Sequence, residues 1–112
     1  MSAPRLGRKL TLEEAQRLPD GSGGFTQAWV ARGVLWADVQ AGAGRERAGE
    51  SVTVSAVGYR ITVRGAPEGA PSRPRPEQRF RDGTRLYRIA SVAEADPYGL
   101  YLVCQASEEV LS

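Results

Sequence analysis

The 112-residue sequence has no histidine, a single cysteine and a single lysine. Without histidine, no Ser-His, Cys-His or His-metal arrangement can be assembled. A lone cysteine, Cys104, excludes a disulfide within the chain, and its place in the apolar stretch LYLVCQ is typical of a buried side chain rather than a nucleophile. The sequence therefore predicts neither an enzyme nor a site for a metal or another cofactor.

Long apolar runs are also missing. No stretch approaches the 18 or more apolar residues of a membrane-spanning helix, and the N-terminus lacks the apolar segment of a signal peptide, so we expect no membrane partner. The glycine-rich GAGRERAG matches neither the P-loop nor the dinucleotide-binding pattern. Two pairs of carboxylates, Glu13–Glu14 and Glu108–Glu109, are adjacent in the sequence rather than facing each other, which predicts solvated surface. The length suits one domain, residues 1–112.

Basic charge is concentrated in one part of the chain. Residues 41–88 hold ten arginines and five acidic residues, so this segment carries +5 and the remainder −3. Arginine side chains bind carboxylates and phosphates equally well, which indicates a protein interface or nearby nucleic acid. An arginine-rich genome would explain any single one of these residues as well.

Alternation of apolar and polar residues is the main pattern in the sequence. We predict strands at 34–40, 51–64, 84–94 and 99–107, with a bulge at Gly58 where the alternation shifts. A further strand at 78–81 is joined to the next by the turn Asp82-Gly83, and Asp96-Pro97 with Gly99 predicts a second turn. The fold class is mainly β, a small antiparallel β-barrel or sandwich with long loops. Its expected core comprises these residues or their opposite-face neighbours: Trp36, Val39, Ile61, Val63, Ile89, Val92, Leu102 and Cys104.

The N-terminal part allows two interpretations. TLEEAQRL carries a capping-box pattern, Thr11 with Glu14, which favours a short helix. KLTLEEA also alternates, which suits an edge strand. DGSGG at 20–24 predicts a turn in either case, and FTQAWV after it predicts a half-buried strand.

Two segments read as loops. The predicted strand LWADVQ is followed by AGAGRERAGES, residues 41–51, in which Gly42 and Gly44 permit backbone changes next to Arg45 and Arg47. Residues 65–77 contain four prolines and cannot pair within a central sheet, so we expect an extended, polyproline-like loop. This loop is either a solvated surface or a contact region.

The order of several pieces resembles one known family, the head–tail joining proteins of long-tailed phages, also called head-closure or stopper proteins. These pieces are GGFTQAW at 23–29, LWADV at 35–39, YRITVR at 59–64, QRFRDGTRLYRIASVAEAD at 78–96 and LYLVC at 100–104. GRERAGE and the proline-rich loop are most similar to the gene transfer agent branch of the family.

The resemblance implies a structural role. It implies a small β-barrel or sandwich, with a strand at about 8–17, that assembles as a ring of six or twelve copies in the neck of a phage-like particle built in the bacterial cytoplasm. Its partners would be the portal-bound adaptor, a tail terminator or tail tube component, and the end of the packaged double-stranded DNA. On this basis Gly42, Gly44, Arg45 and Arg47 would face DNA in a channel loop at 41–51. Contacts with other subunits, the adaptor or the tail would involve Arg73, Arg75, Arg79 and Arg81.

A different class of function remains open, a free small β-barrel that binds nucleic acid. Such modules expose aromatic side chains for base stacking within a basic groove. Here the alternation places most aromatic residues on the strands, and only Tyr98, in a turn, is predicted to be clearly exposed. That prediction weighs against the nucleic-acid binder.

Overall fold

The chain folds as a closed antiparallel β-barrel. The computed structural model describes residues 3–42 and 57–109. Its six strands are β1 (Arg8–Pro19), β2 (Phe25–Ala41), β3 (Gly58–Arg64), β4 (Arg79–Asp82), β5 (Arg85–Glu94) and β6 (Tyr101–Glu109). They close in the order β1-β2-β3-β6-β5-β4, so the fold is a barrel rather than a sandwich and the mainly β prediction is confirmed. Within the described ranges there is no helix, and hence none long and apolar enough to cross a membrane.

The core consists of the inward-facing side chains of all six strands. Five residues predicted to lie there are buried, which confirms that part of the expectation: Ile61, Val63, Ile89, Leu102 and Cys104. Burial raises the pKa of the Cys104 thiol to about 12, as expected of a buried cysteine rather than a nucleophile. Val39 and Val92 are half-buried and pack against this core. The core also contains four large side chains that were not among the predicted core residues: Leu10, Leu12, Phe80 and Tyr87.

Trp36 is not part of the core. Its side chain is 55% exposed on the outside of β2, whereas Ala37 beside it is fully buried. In a strand, consecutive side chains point to opposite faces, so Trp36 and Val39 cannot both face inward. The barrel buries the face that carries Ala37 and Val39, so at this position the opposite-face neighbour Ala37 is the core residue and Trp36 is not.

The first strand resolves the ambiguity at the N-terminus. β1 extends over Arg8–Pro19, which confirms the strand expected at 8–17 and excludes the short helix. Leu10 and Leu12 are fully buried, and the strand keeps twelve register pairs with β2. Burial of these leucines in the barrel outweighs the helix-favouring local sequence, since propensity is a weak determinant once tertiary contacts form.

Bulges occur at other positions than predicted. β2 is one strand through both FTQAWV and LWADVQ, because an extra residue, Arg32, is accommodated by a bulge instead of a turn. A second irregularity leaves Ala90 of β5 without a partner. Gly58, the predicted bulge, pairs regularly with Ser107 as the first residue of β3. Residues 51–56, the start of the predicted strand, lie outside the described part of the chain.

Two predicted turns are confirmed. Gly83 follows β4 with φ of 62°, the positive value that a tight hairpin turn requires at its first central position. Before β6, the Asp96 carboxylate accepts hydrogen bonds from the backbone N–H groups of Tyr98, Leu100 and Tyr101. Gly99 has φ of 67° in this turn. The three strands β4, β5 and β6 thus form the expected meander.

Candidate interaction surfaces

A two-stranded ribbon extends from the barrel. β1 pairs with β4 only through Thr11–Glu13, and β2 pairs with β3 only through Ala37–Ala41. Within residues 3–42 and 57–109, the six register pairs from Glu14 opposite Val30 to Pro19 opposite Phe25 therefore have no third strand beside them. This ribbon with its turn, residues 14–30, is called the arm below. Its six register pairs, at 3.3–3.4 Å per residue, make it about 20 Å long.

The arm is anchored at its base by a buried ion pair under an aromatic ring. Arg79 Nε donates to Glu13 Oε1 at 2.7 Å, and both side chains are less than a tenth exposed. The Arg79 guanidinium also lies 4.0 Å from the centre of the Trp29 ring. The expectation that Glu13 is solvated is wrong, because β4 brings Arg79 beside it. No sequence signal connects these residues, which are 66 positions apart.

The proline-rich loop consists of turns rather than polyproline helix. Backbone hydrogen bonds run from Ala70 N to Pro67 O, from Arg73 N to Ala70 O and from Gln78 N to Arg75 O. The loop stays outside the sheet as predicted, but its expected extended conformation is wrong. Pro74 is fully buried, so part of the loop is packed against the fold.

The loop and the arm meet in an open cleft of about 410 Å³. Glu14 of the arm binds Arg32 of β2 and Arg75 of the loop. Hydrogen bonding from Arg32 lowers the pKa of the Glu14 carboxyl, against an opposing effect of burial. This acidic residue thus links the arm to the proline-rich loop.

The four arginines predicted to contact other proteins are placed differently. Arg73 donates to the backbone oxygen of Ala66, and Arg79 is only 9% exposed. Arg75 and Arg81 each pair with a glutamate of the same chain yet are about half-exposed or more. Contacts of these four arginines with other subunits, the adaptor or the tail stay a prediction. Arg75 and Arg81 are more accessible to such a partner than Arg79.

The predicted channel loop begins at the opposite end of the barrel. Gly42, exposed, donates its N–H to Gly58 O at 2.7 Å, so the two sides of the β2–β3 connection start close together. Gly44, Arg45 and Arg47 lie outside the described residues. β3 separates this connection from the proline-rich loop, because the chain enters β3 at Gly58 and leaves it at Arg64.

A polar cluster supports the barrel at the β2–β3 connection. Arg85 donates to both oxygens of the Glu108 carboxylate, at 2.7 and 3.0 Å, and to the Tyr59 hydroxyl at 3.1 Å. Tyr59 in turn donates to Glu108 at 3.2 Å, and its ring packs edge-on against Tyr87. The expectation of a solvated Glu108 is therefore wrong, since this residue joins β6 to β3 and β5.

This cluster predicts an acid-sensitive contribution to stability. Hydrogen bonds from Arg85 hold the pKa of the Glu108 carboxyl below its ordinary value of 4.5, against an opposing effect of burial. A carboxyl with a lowered folded-state pKa contributes stability that is present above its unfolded pKa and lost as pH falls through the folded one. In urea titrations at a series of pH values, Glu108→Gln should flatten the loss of unfolding free energy below pH 4.5. The matched control is Glu68→Gln in the exposed loop, and an unchanged acid slope in Glu108→Gln would contradict the assignment.

Exposed apolar side chains identify further surfaces. Phe25 at the arm tip is 59% exposed, and Trp36 on the barrel wall is 55% exposed. Tyr98 is exposed as predicted, but it is accompanied by these two other aromatic residues. With three exposed aromatic residues, the exposure of aromatic side chains does not weigh against nucleic-acid binding. Sequence patterning missed both residues, because alternation marks two faces without showing which one is covered.

Comparison with known proteins separates the two classes of function. A family model described as phage head completion protein matches residues 1–109. A chain of the virion of a native gene transfer agent particle is 57% identical, with a TM-score of 0.81 over 98% of this chain and 100% of its own. The solution structure of a protein of Shigella flexneri 2a matches over 100% of this chain and 100% of its own, with a TM-score of 0.71. Its sequence is 19% identical, so this match shows the shared fold alone. No curated protein matches the chain significantly.

These matches confirm the resemblance found in the sequence. The family model spans nearly the entire chain, and the relative with 57% identity is itself part of a virion. They support a structural component of a phage-like particle and not an enzyme. The chain therefore belongs to the phage head completion protein family.

Proposed function

We propose that the chain forms a ring in the neck of a phage-like particle, between the portal-bound adaptor and the tail. The ring closes the DNA channel after packaging and provides a surface to which the tail attaches. Family membership and the relative from a gene transfer agent virion support a role at the completed head. A free nucleic-acid binder has no comparable support.

The observation that carries this proposal is the position of the two long connections. The β2–β3 connection leads into one end of β3 and the proline-rich loop leaves the other end, and this seven-residue strand spans about 20 Å. A subunit in a ring can then present the β2–β3 connection to the channel while the proline-rich loop and the arm reach other proteins. One small domain can in this way serve two partners at once.

The sequence of the first connection suits contact with a DNA end. Gly42, Gly44 and Gly49 give the backbone freedom to change conformation between a closed and an open channel. Arg45 and Arg47 supply positive charge, and a ring of six copies would gather about twelve such charges around one duplex, an attraction independent of base sequence. In the competing arrangement Glu46 and Glu50 neutralise these charges and the loop pairs with a neighbouring subunit.

Charge reversal tests the channel role. We expect particles that carry Arg45→Glu with Arg47→Glu to assemble their necks but lose DNA from filled heads, because the DNA end is repelled. DNA retention is measured by nuclease sensitivity of purified heads, and the rings are visualised by electron cryo-microscopy. Arg60→Glu, an exposed charge on the barrel wall, serves as the control. Full retention with normal assembly would show that these two arginines do not face DNA.

A proposed contact role of the proline-rich loop is better tested by substitution than by deletion. Removing residues 68–76 would also remove Pro74, whose side chain is fully buried, so a failure of assembly could reflect misfolding. Arg75 of this loop is accessible and can be changed without removing a buried side chain. Arg81 of β4, about half-exposed, tests the neighbouring contact in the same way.

A further inference from the structure

The tip of the arm is a rigid surface with exposed apolar side chains. Asp20 accepts hydrogen bonds from the N–H groups of Ser22 and Gly24, at 2.7 and 3.0 Å, which fixes the turn. Phe25 is 59% exposed, and the Arg17 guanidinium lies over its ring at 4.4 Å. Leu18, 44% exposed, lies on the other face of the ribbon, because it pairs with Thr26 whereas Phe25 pairs with Pro19. A two-stranded ribbon is marginally stable alone, so an ordered tip that leaves these apolar side chains exposed is suited to pack on something else.

A second apolar surface lies on the barrel wall. Val34 and Trp36 are both more than half-exposed on the outside of β2, opposite Thr11 and Lys9 of β1. Tryptophan is among the residues most enriched at the energetic centres of protein interfaces. Within the described part of the chain, the edge of β2 from Phe25 to Trp36 also has no strand beside it other than β1, so backbone groups are available there as well.

The two surfaces of one chain cannot cover each other. Phe25 and Trp36 are eleven positions apart on the same strand, which corresponds to about 35 Å. A chain that carries two different surfaces far apart can pair the first with the second of the next copy. Repeated contacts of this head-to-tail kind close into rings, whereas pairing of identical surfaces gives a two-fold dimer.

We infer that the arm of one subunit docks on the β2 wall of the next, with Phe25 packed against Val34 and Trp36. This inference rests on the ring of the proposed function and identifies the contact that builds it. Each aromatic side chain, about half-exposed, contributes on the order of 100 Å². Phe25, Val34 and Trp36 thus form the apolar centre of an interface that needs on the order of 800 Å² per partner.

Cysteine cross-linking within particles tests the contact. In particles carrying Phe25→Cys with Trp36→Cys, oxidation should give a ladder of disulfide-linked species at multiples of 12.1 kDa. An internal disulfide is excluded, because Cα atoms more than about 7 Å apart cannot be bridged. The buried native Cys104, with its raised pKa, does not compete.

Matched variants establish the direction of the contact. Neither single cysteine variant should form a ladder, and particles assembled from a mixture of the two single variants should give dimers. The control pair Phe25→Cys with Ser91→Cys should give no ladder, because Ser91 is exposed on β5, the strand opposite β2 in the barrel.

Three results would overturn the inference. Self-cross-linking of the single variant Phe25→Cys would show that two arms meet. Linkage of this variant to a different protein would identify another partner. Normal particles without any linkage would show that the arm does not contact a neighbouring subunit. If the double variant yields no particles, a photoactivatable group on Phe25→Cys replaces it and must attach to residues 34–37 of another copy. A ring seen by electron cryo-microscopy without this linkage would refute the arm contact alone, whereas absence of a ring would refute the proposed function.

Discussion

Replacing Arg79 with alanine is expected to lower the free energy of unfolding by about 3 kcal/mol, near the lower end of the range for breaking a buried ion pair. The change leaves the Glu13 carboxylate buried without its closest partner, at 2.7 Å, and removes the nearer of two guanidinium groups over the Trp29 ring, the other being that of Arg88. Arg81, 3.2 Å from the other carboxylate oxygen, limits the loss. Urea denaturation followed by tryptophan fluorescence measures both the stability and the change around Trp29.

Arg81→Ala is the matched control for this prediction. Arg81 pairs with the same glutamate but is 47% exposed, and an exposed ion pair is worth up to about 1 kcal/mol. Equal losses in the two variants would show that the burial of Arg79 contributes nothing to the stability of the barrel and the base of the arm.

Ile61→Ala should destabilise the barrel by about 2–5 kcal/mol, because it removes a fully buried side chain and leaves a cavity. Ile61 lies in the middle of β3, in register with Val39 and Cys104 on the two neighbouring strands. Thermal and urea unfolding by circular dichroism measure the effect. Arg60→Ala, exposed on the same strand, should change stability by about 0.5 kcal/mol or less. A similarly small loss for Ile61→Ala would mean that the barrel interior is not packed as described.

Much of the barrel follows from local sequence. Alternation in β3, β5 and β6 placed Ile61, Ile89 and Cys104 correctly, since these strands have one buried face with few interruptions. The turns can also be predicted, because the positive φ at positions 83 and 99 favours glycine, and glycine is found at both positions in the sequence.

Other features depend on contacts between distant parts of the chain. The patterns at 25–30 and 34–40 predict two separate strands, but pairing with β1 continues the strand through Arg32 as a bulge. The burial of Glu13 requires Arg79, which only the closure of β4 onto β1 supplies. Local patterns do not encode these pairings, and so the sequence predicted a solvated glutamate and two separate strands.

The candidate surfaces show the same division. Alternation separates Trp36 from Ala37 but does not say which face is covered, which depends on how the sheet closes. Composition identified the proline-rich segment as a loop outside the sheet, whereas its turns and its buried Pro74 arise from packing. The arm had no signal of its own, because its free edges are visible only once the partners of β1 and β2 are known.

The placement of the two connections at opposite ends of β3 also determines how the subunit carries mechanical load. In an antiparallel sheet the backbone hydrogen bonds lie across the strand direction, so tension applied between Gly58 and Arg64 shears them together instead of peeling them one by one. β3 is bonded on both sides, with five register pairs to β2 and seven to β6. Force pulling on one connection while the other is held therefore meets the mechanically strongest direction of the barrel.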